Sequence, residues 1–314
     1  MTPRRTHGPL TALALALGLS ACQMGGTLTS ATAPQSRPDM TPAVQSAQSK
    51  ALESYYARVE TDLLTRGLVR SDGGGPDTPF SQRQLVENFV QIALYNEYDF
   101  SNGILVPRKS ASRLRRWSGP VRMSVSFGET VPAEKRRKDM NDTAAYARRL
   151  TRLTGNPVTL TSPANANFHV LFLNEDERRA LGPQLQTLVP GVTNSLIRSI
   201  TDMPRSTFCT VYAFSLDDAS TYYRAVAVIR AEQPDLLRLT CIHEELAQGM
   251  GLANDSPAAR PSIFNDDEEF ALLTYHDELL LRMLYDPRLT PGMTAEQARP
   301  ILRDIASDLM GGSS

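Results

Sequence analysis

The chain has 314 residues, with 33 Lys and Arg against 34 Asp and Glu, a formal net charge of -1 and 41% hydrophobic residues. A balance this even gives no electrostatic case for nucleic acid, so no nucleic-acid partner is expected. The length suits one domain of average-to-large size, or a helical domain plus a compact one, and no stretch reaches the roughly 20 apolar residues that a spanning helix needs.

Residues 1–21 have the shape of a secretory signal: Arg4 and Arg5, an apolar core from Leu10 to Leu19, then Leu19-Ser20-Ala21-Cys22. Small residues just before a cysteine form a lipobox, which predicts Cys22 as the acylated first residue of the mature chain. The competing reading is a soluble export signal cleaved near Ala21. Loss of Arg4 and Arg5 with the signal leaves 31 basic against 34 acidic residues. Gln23, not Asp, follows Cys22, and its resemblance to sorted lipoproteins implies a bacterial cell-envelope protein held in the lipid bilayer at the periplasmic face of the outer membrane. Retention at the inner membrane stays open. Residues 22–47, rich in Thr, Ser, Ala, Pro and Gln, are expected to be a disordered tether.

Leu52, Tyr55, Tyr56, Val59, Leu63 and Leu64 recur at helical spacing between Ser49 and Arg70, predicting a first amphipathic helix that ends at Gly73-Gly74-Gly75-Pro76. The glycines lack the Lys and Ser/Thr of a phosphate loop and read as a turn. Ser81 caps a second helix carrying Leu85, Phe89, Ile92 and Ala93. From Val121 to Phe127 the period changes to two, which predicts a strand. A helix over Asp139–Leu153 and strands over Phe168–Leu173, Thr207–Phe214 and Tyr222–Arg230 follow. Asp235 then opens a long helix.

That helix carries Cys241-Ile242-His243-Glu244-Glu245-Leu246-Ala247-Gln248-Gly249-Met250-Gly251-Leu252, which reads like the zinc helix of a metallopeptidase with its ligands exchanged. The zincin pattern HExxHxxGxxH needs two His one helical turn apart, with a Glu between them to activate water. Started at His243, the pattern puts Ala247 at the second ligand. Started at Glu244, it aligns Gly251 with the helix-ending glycine and puts Glu245 at the general base, Gln248 at the second ligand and Asn254 at the third. Carboxylate and amide oxygens hold zinc poorly and suit Ca2+ or Mn2+ better. An ordinary buried helix that happens to contain His-Glu-Glu is the plain alternative.

The order strand, helix, three strands, long helix is that of the upper half of a zincin fold. The expected class is therefore α+β: a zincin-like sheet with a backing helix and an active-site-type helix, preceded by N-terminal helices and followed by a helical C-terminal part. The divisions are 48–118 for the N-terminal helical region, 119–255 for the zincin-like subdomain and 256–314 for the C-terminal helical subdomain. In the last of these, Asn265-Asp266-Asp267-Glu268-Glu269 reads as a helix start, or alternatively as a calcium-binding run. Phe270–Leu284 reads as an apolar helix, and Thr294-Ala295-Glu296-Gln297 as a capping box.

Glu245 is the one candidate catalytic residue, and Glu244, Gln248, Asn254, Asp255, His243 and His276 are the candidate cleft residues. No cofactor is expected. If a divalent metal binds, the candidate ligands are Glu244, Gln248 and Asp255, or His243 with His276 and a distal acid such as Asp266 or Glu268. His169, set in an apolar strand, reads as structural. With Cys22 used for lipid, Cys209 and Cys241 are an even pair in an oxidising compartment and predict a disulfide; two buried thiols and a metal pair are the alternatives.

The blocks Asn88–Leu94, Cys241–Asp255, Ser262–Asp266, His276-Asp277-Glu278 and Leu284–Pro287 together resemble a family of bacterial envelope proteins known as domain of unknown function 2927. The resemblance covers most of residues 80–305. It implies the same globular domain and the positions Glu245, Gln248, Gly251 and Asp255, and it implies no activity. Three functions follow from these readings: a non-catalytic, metallopeptidase-like lipoprotein domain that binds a peptide or envelope component, an unorthodox envelope metallopeptidase using Glu245 as base, and a structural lipoprotein that serves assembly.

Overall fold

A computed structural model describes residues 43–101, 104–216 and 219–311. The expected signal, Cys22 as the expected lipid site and the part of the expected tether before residue 43 lie outside the described residues. Helices α1 (Ala47–Thr65) and α2 (Gln82–Ala93) come first, followed by a hairpin of β1 (Tyr95–Ser101) and β2 (Ile104–Ala111). Then come β3 (Val121–Phe127), α3 (Ala133–Thr154), β4 (Val158–Leu160), β5 (Phe168–Leu173) and three short helices, α4 (Glu175–Arg179), α5 (Gly182–Leu188) and α6 (Asn194–Thr201). Strands β6 (Cys209–Ser215) and β7 (Tyr222–Arg230) precede α7 (Asp235–Gln248), α8 (Tyr275–Leu284) and α9 (Ala295–Gly311). The fold is mixed α+β, with helices on both sides of the sheet in sequence.

The five-stranded sheet has the order β4-β3-β5-β7-β6, parallel throughout except for the edge strand β6, which runs antiparallel to β7. Central β5 is buried at every position, as a parallel strand covered on both faces must be, and this explains its nearly continuous apolar run. Met123, Val170, Phe172, Ala227 and Ile229 face the main core, which α2, α3, α7 and α8 complete. On the other face Leu171, Leu173, Val226 and Val228 pack under α5 and α6 through Leu185, Leu196 and Ile200.

Helix α1 is held by the body through buried polar contacts. The Ser49 hydroxyl donates to Glu232 at 2.7 Å, and Glu232 also receives the Glu175 amide at 2.6 Å. Beside it, Glu175 accepts from Arg178, Arg179 and Arg230. Burial opposes the charge of Glu175, and these three guanidiniums overcome that cost and hold its pKa at about 2.

The disulfide expected from the cysteine count joins Cys209, at the start of β6, to Cys241 in the middle of α7, with a Cα separation of 5.9 Å. It ties the edge strand to the central helix.

Several sequence expectations need correction. The helix read from Asp139 begins six residues earlier at Ala133, directly after Pro132, whose fixed φ of -58° suits a helix entrance. The helix read from Phe270 begins only at Tyr275, because Thr274 and Asp277 form a reciprocal cap there. Residues just before it run beside Arg70 instead, with the Ala271 amide donating to the Arg70 carbonyl. Asn265–Glu269 is a loop, not a helix start, and Glu268 takes a left-handed φ of 58°. The β1–β2 hairpin and the helices α4–α6 have no counterpart in the sequence reading.

Replacing both cysteines by alanine frees a loop whose ends lie 32 residues apart. Stability to urea is expected to fall by about 3 kcal/mol on the chain-entropy account. An unchanged unfolding midpoint would show that β6 is held on α7 without the covalent link.

Candidate functional site

The site lies at the C-terminal half of α7. This helix is covered on most sides: Leu237, Arg238, Thr240, Cys241, Ile242, His243, Glu245, Leu246 and Ala247 are all buried. Arg238 meets the buried Asp139 of α3 at 2.9 Å and Asp235 at 2.7 Å. Past Gln248 the chain turns sharply. The Trp117 indole donates to the Gly249 carbonyl at 2.9 Å, and the Tyr285 hydroxyl donates to the Met250 carbonyl at 3.0 Å, so helix-end acceptors are satisfied by side chains from two other segments.

The glycines at this turn are sterically required. A Cβ at Gly249 would lie 2.5 Å from the Phe168 ring, and one at Gly251, where φ is 128°, would lie 2.4 Å from the Arg115 carbonyl oxygen. The helix-ending glycine aligned by the second register therefore sits where the backbone must pass closest to its neighbours.

Glu244 and Glu245 each bring a carboxylate oxygen to within 4.8 Å of the other and of the Cys209 sulfur. Cys209 is committed to its disulfide and offers no thiolate. Glu245 is 4% exposed and its Oε2 atom has no hydrogen-bond partner in the protein. Glu244 is half-buried, so the pair reaches solvent on its side. Burial pushes the pKa of both carboxyls well above the usual carboxylate range. The charges acting most strongly on Glu244 are all carboxylates: Glu245, Asp255, Glu268 and Asp266, in that order. Asp255 also acts on Glu245. Asp266 and Glu268, in the loop expected as a helix start, are thus among the charges that act on Glu244, an influence that no local sequence signal announces.

The amides are already engaged. Gln248 Nε2 donates to Asp255 Oδ1 at 3.1 Å. Asn254 Nδ2 donates to the Gln91 carbonyl at 2.8 Å, and the Asn254 backbone amide donates to the Ile92 carbonyl, so this residue fastens the loop to α2.

The three histidines among the described residues are turned elsewhere. His243 Nδ1 accepts the Leu273 amide at 3.1 Å, and its ring stacks on Tyr146 with centroids 4.2 Å apart. Burial, with Arg149 nearby, lowers its pKa to about 3, so it is a neutral packing element. His276, fully buried, has Nε2 3.1 Å from the Asn88 amide nitrogen and meets the Phe80 ring edge-on. Among the described residues, neither His243 nor His276 belongs to a cluster of three metal-ligating side chains. His169 accepts from Arg224 at Nε2, so its Nδ1 carries the proton toward the Ser124 hydroxyl 3.0 Å away. Burial lowers its pKa to about 4, in keeping with the structural reading.

This donor set does not fit zinc. A zincin site needs imidazoles, and among the described residues every imidazole is engaged in packing while the centre presents carboxylates beside an oxidised cysteine.

The molecule is a mixed α+β protein with a carboxylate pair, Glu245 buried and Glu244 half-buried, beside the first residue of an edge strand. A family model described as "Protein of unknown function (DUF2927)" matches residues 82–304, most of the chain, and the chain belongs to this family. No curated protein and no solved structure matches it.

The raised carboxyl pKa values dictate a pH dependence. The folded pair holds protons that the unfolded chain releases above about 4.5, so this contribution to stability falls as pH rises. The depressed pKa of His243 works at the other end: below 6.5 the unfolded chain takes a proton that the folded site refuses, and stability falls as pH drops. Glu245→Gln removes the part of the first effect that Glu245 carries and leaves His243 as it is. In chelator, its melting temperature is expected to exceed that of the natural chain by a margin that widens from pH 5 to pH 8; a constant margin would show that Glu245 carries no raised pKa.

Proposed function

We propose that this protein is a lipid-anchored component of the bacterial envelope, held through Cys22 at the periplasmic face of the outer membrane, whose metallopeptidase-like domain binds an extended peptide or envelope component without cleaving it. The observation that carries the reading is the absence of any imidazole, among the described residues, from a centre built on the zincin register Glu244, Gln248, Gly251 and Asn254. The element order, with an antiparallel edge strand last in the sheet and the long helix directly after β7, supports the kinship with zincins. Among the described strands β6 bonds only to β7, and its first residue, Cys209, lies beside the acid pair. An extended peptide adding to that edge gains main-chain hydrogen bonds and reaches Glu244 from the solvent side.

Incubation of the full chain with a diverse peptide mixture and added Zn2+, Mn2+ or Ca2+, followed by mass spectrometry, is expected to leave the peptides uncut, with extended ones retained on the protein. Hydrolysis that disappears in Glu245→Gln would establish the rival metallopeptidase with Glu245 as general base. For the anchor, the natural chain is expected in the detergent phase of a Triton X-114 partition and Cys22→Ala in the aqueous phase. Identical partition of the two would remove the lipid from the account.

A further inference from the structure

We propose that the carboxylates of Glu244 and Glu245 bind one hard divalent cation of the calcium or manganese kind. Two independent features point to a ligand. The first is the spacing: carboxylate oxygens of Glu244 and Glu245 lie within 4.8 Å of one another. An ion making bonds of about 2.3–2.6 Å to oxygen spans such a gap between two ligands. The second is Glu245 Oε2, an oxygen of a residue only 4% exposed, set beside Glu244 with no protein partner. A buried carboxylate oxygen left in that state costs free energy that a bound cation recovers.

The chemistry of the surroundings selects the kind of ion. Cys209 is oxidised and the histidines are engaged in the core, so soft and borderline metals find neither thiolate nor imidazole, whereas oxygen donors suit hard cations. The carboxylates that act on Glu244 come from α7, from Asp255 in the turn after it and from the 265–268 loop. A single proton neutralises one of these groups; a divalent ion offsets two. Gln248, donating to Asp255, orients that carboxylate as an outer-shell partner does in a metal site. Half-buried Glu244 leaves a route from solvent. The inference rests on the acid cluster alone and does not depend on peptide binding.

The test is calorimetric titration and thermal melting of the full chain, stripped with EDTA and then given Ca2+, Mn2+ or Zn2+ separately. One Ca2+ or Mn2+ per chain with a raised melting temperature is expected, and affinity at least about tenfold weaker in both Glu244→Gln and Glu245→Gln. Melting of both variants in EDTA reports that they fold. The proposal is overturned if neither ion binds, if both variants bind as the natural chain does, or if zinc alone binds. It is equally overturned if lysine methyl ester binds in a manner lost in Glu245→Gln and not displaced by Ca2+, because the acids then serve an organic cation.

Discussion

The structure depends on keeping α7 buried along nearly its whole length while it carries an arginine, a histidine and two adjacent glutamates. A buried polar group is tolerated when it is hydrogen-bonded, and a buried charge when it is paired. Arg238 meets both conditions through Asp139 and Asp235. His243 meets the first by accepting the Leu273 amide. The helix terminus is satisfied by Trp117 and Tyr285. Among the buried side chains of α7, Glu245 keeps an unpartnered oxygen, and it does so where the disulfide clamps the edge strand against the helix. The rest of α7 is built for stability; this one position is not.

One physical effect, desolvation, acts with opposite signs on neighbouring residues. Burial lowers the pKa of His243 to about 3 and raises those of Glu244 and Glu245. Both groups are thereby pushed toward their neutral forms, yet with different consequences. The neutral imidazole has a donor for Nδ1 and an aromatic ring to stack on. The ionisation of Glu244 is opposed by the charges of further carboxyls, Asp255 in the turn after α7 and Asp266 and Glu268 of the loop. The histidine therefore stabilises the fold at neutral pH, whereas the acid pair is a cost that grows with pH until something positive meets it.

Much of this was legible in the chain. The alternation from Val121 to Phe127, the capped start at Ser81 and the helix opening at Asp235 appear where local periodicity and capping chemistry place them. The cysteine count led directly to the Cys209–Cys241 disulfide. What escaped is what depends on distant partners. The acidic run at residues 265–269 has the composition of a helix N-terminus, but Val69 and Arg70 bond to its backbone and hold it as a loop. The roles of His243 and His276 were equally invisible, because Leu273 and Tyr146 are remote in sequence from His243, and Asn88 and Phe80 from His276. The β1–β2 hairpin begins two residues after α2 ends, where a polar stretch shows no strong period of two.

The glycines after α7 separate two arguments that a motif runs together. In the zincin register, Gly251 looks like a relic of metal chemistry, yet its neighbours supply a purely steric reason for it: the Arg115 carbonyl leaves no room for a Cβ, just as the Phe168 ring leaves none at Gly249. Such positions are held by packing whether or not a ligand is ever bound, so their retention speaks to scaffold and says nothing about reaction. Gln248 and Asn254 belong with them, since their amides are used to hold Asp255 and the Gln91 carbonyl. Of the residues of the motif, the carboxylate pair lacks a structural explanation. Chemistry at this site therefore has to be argued from Glu244 and Glu245, and from the charge that would complete them, not from the outline of the motif around them.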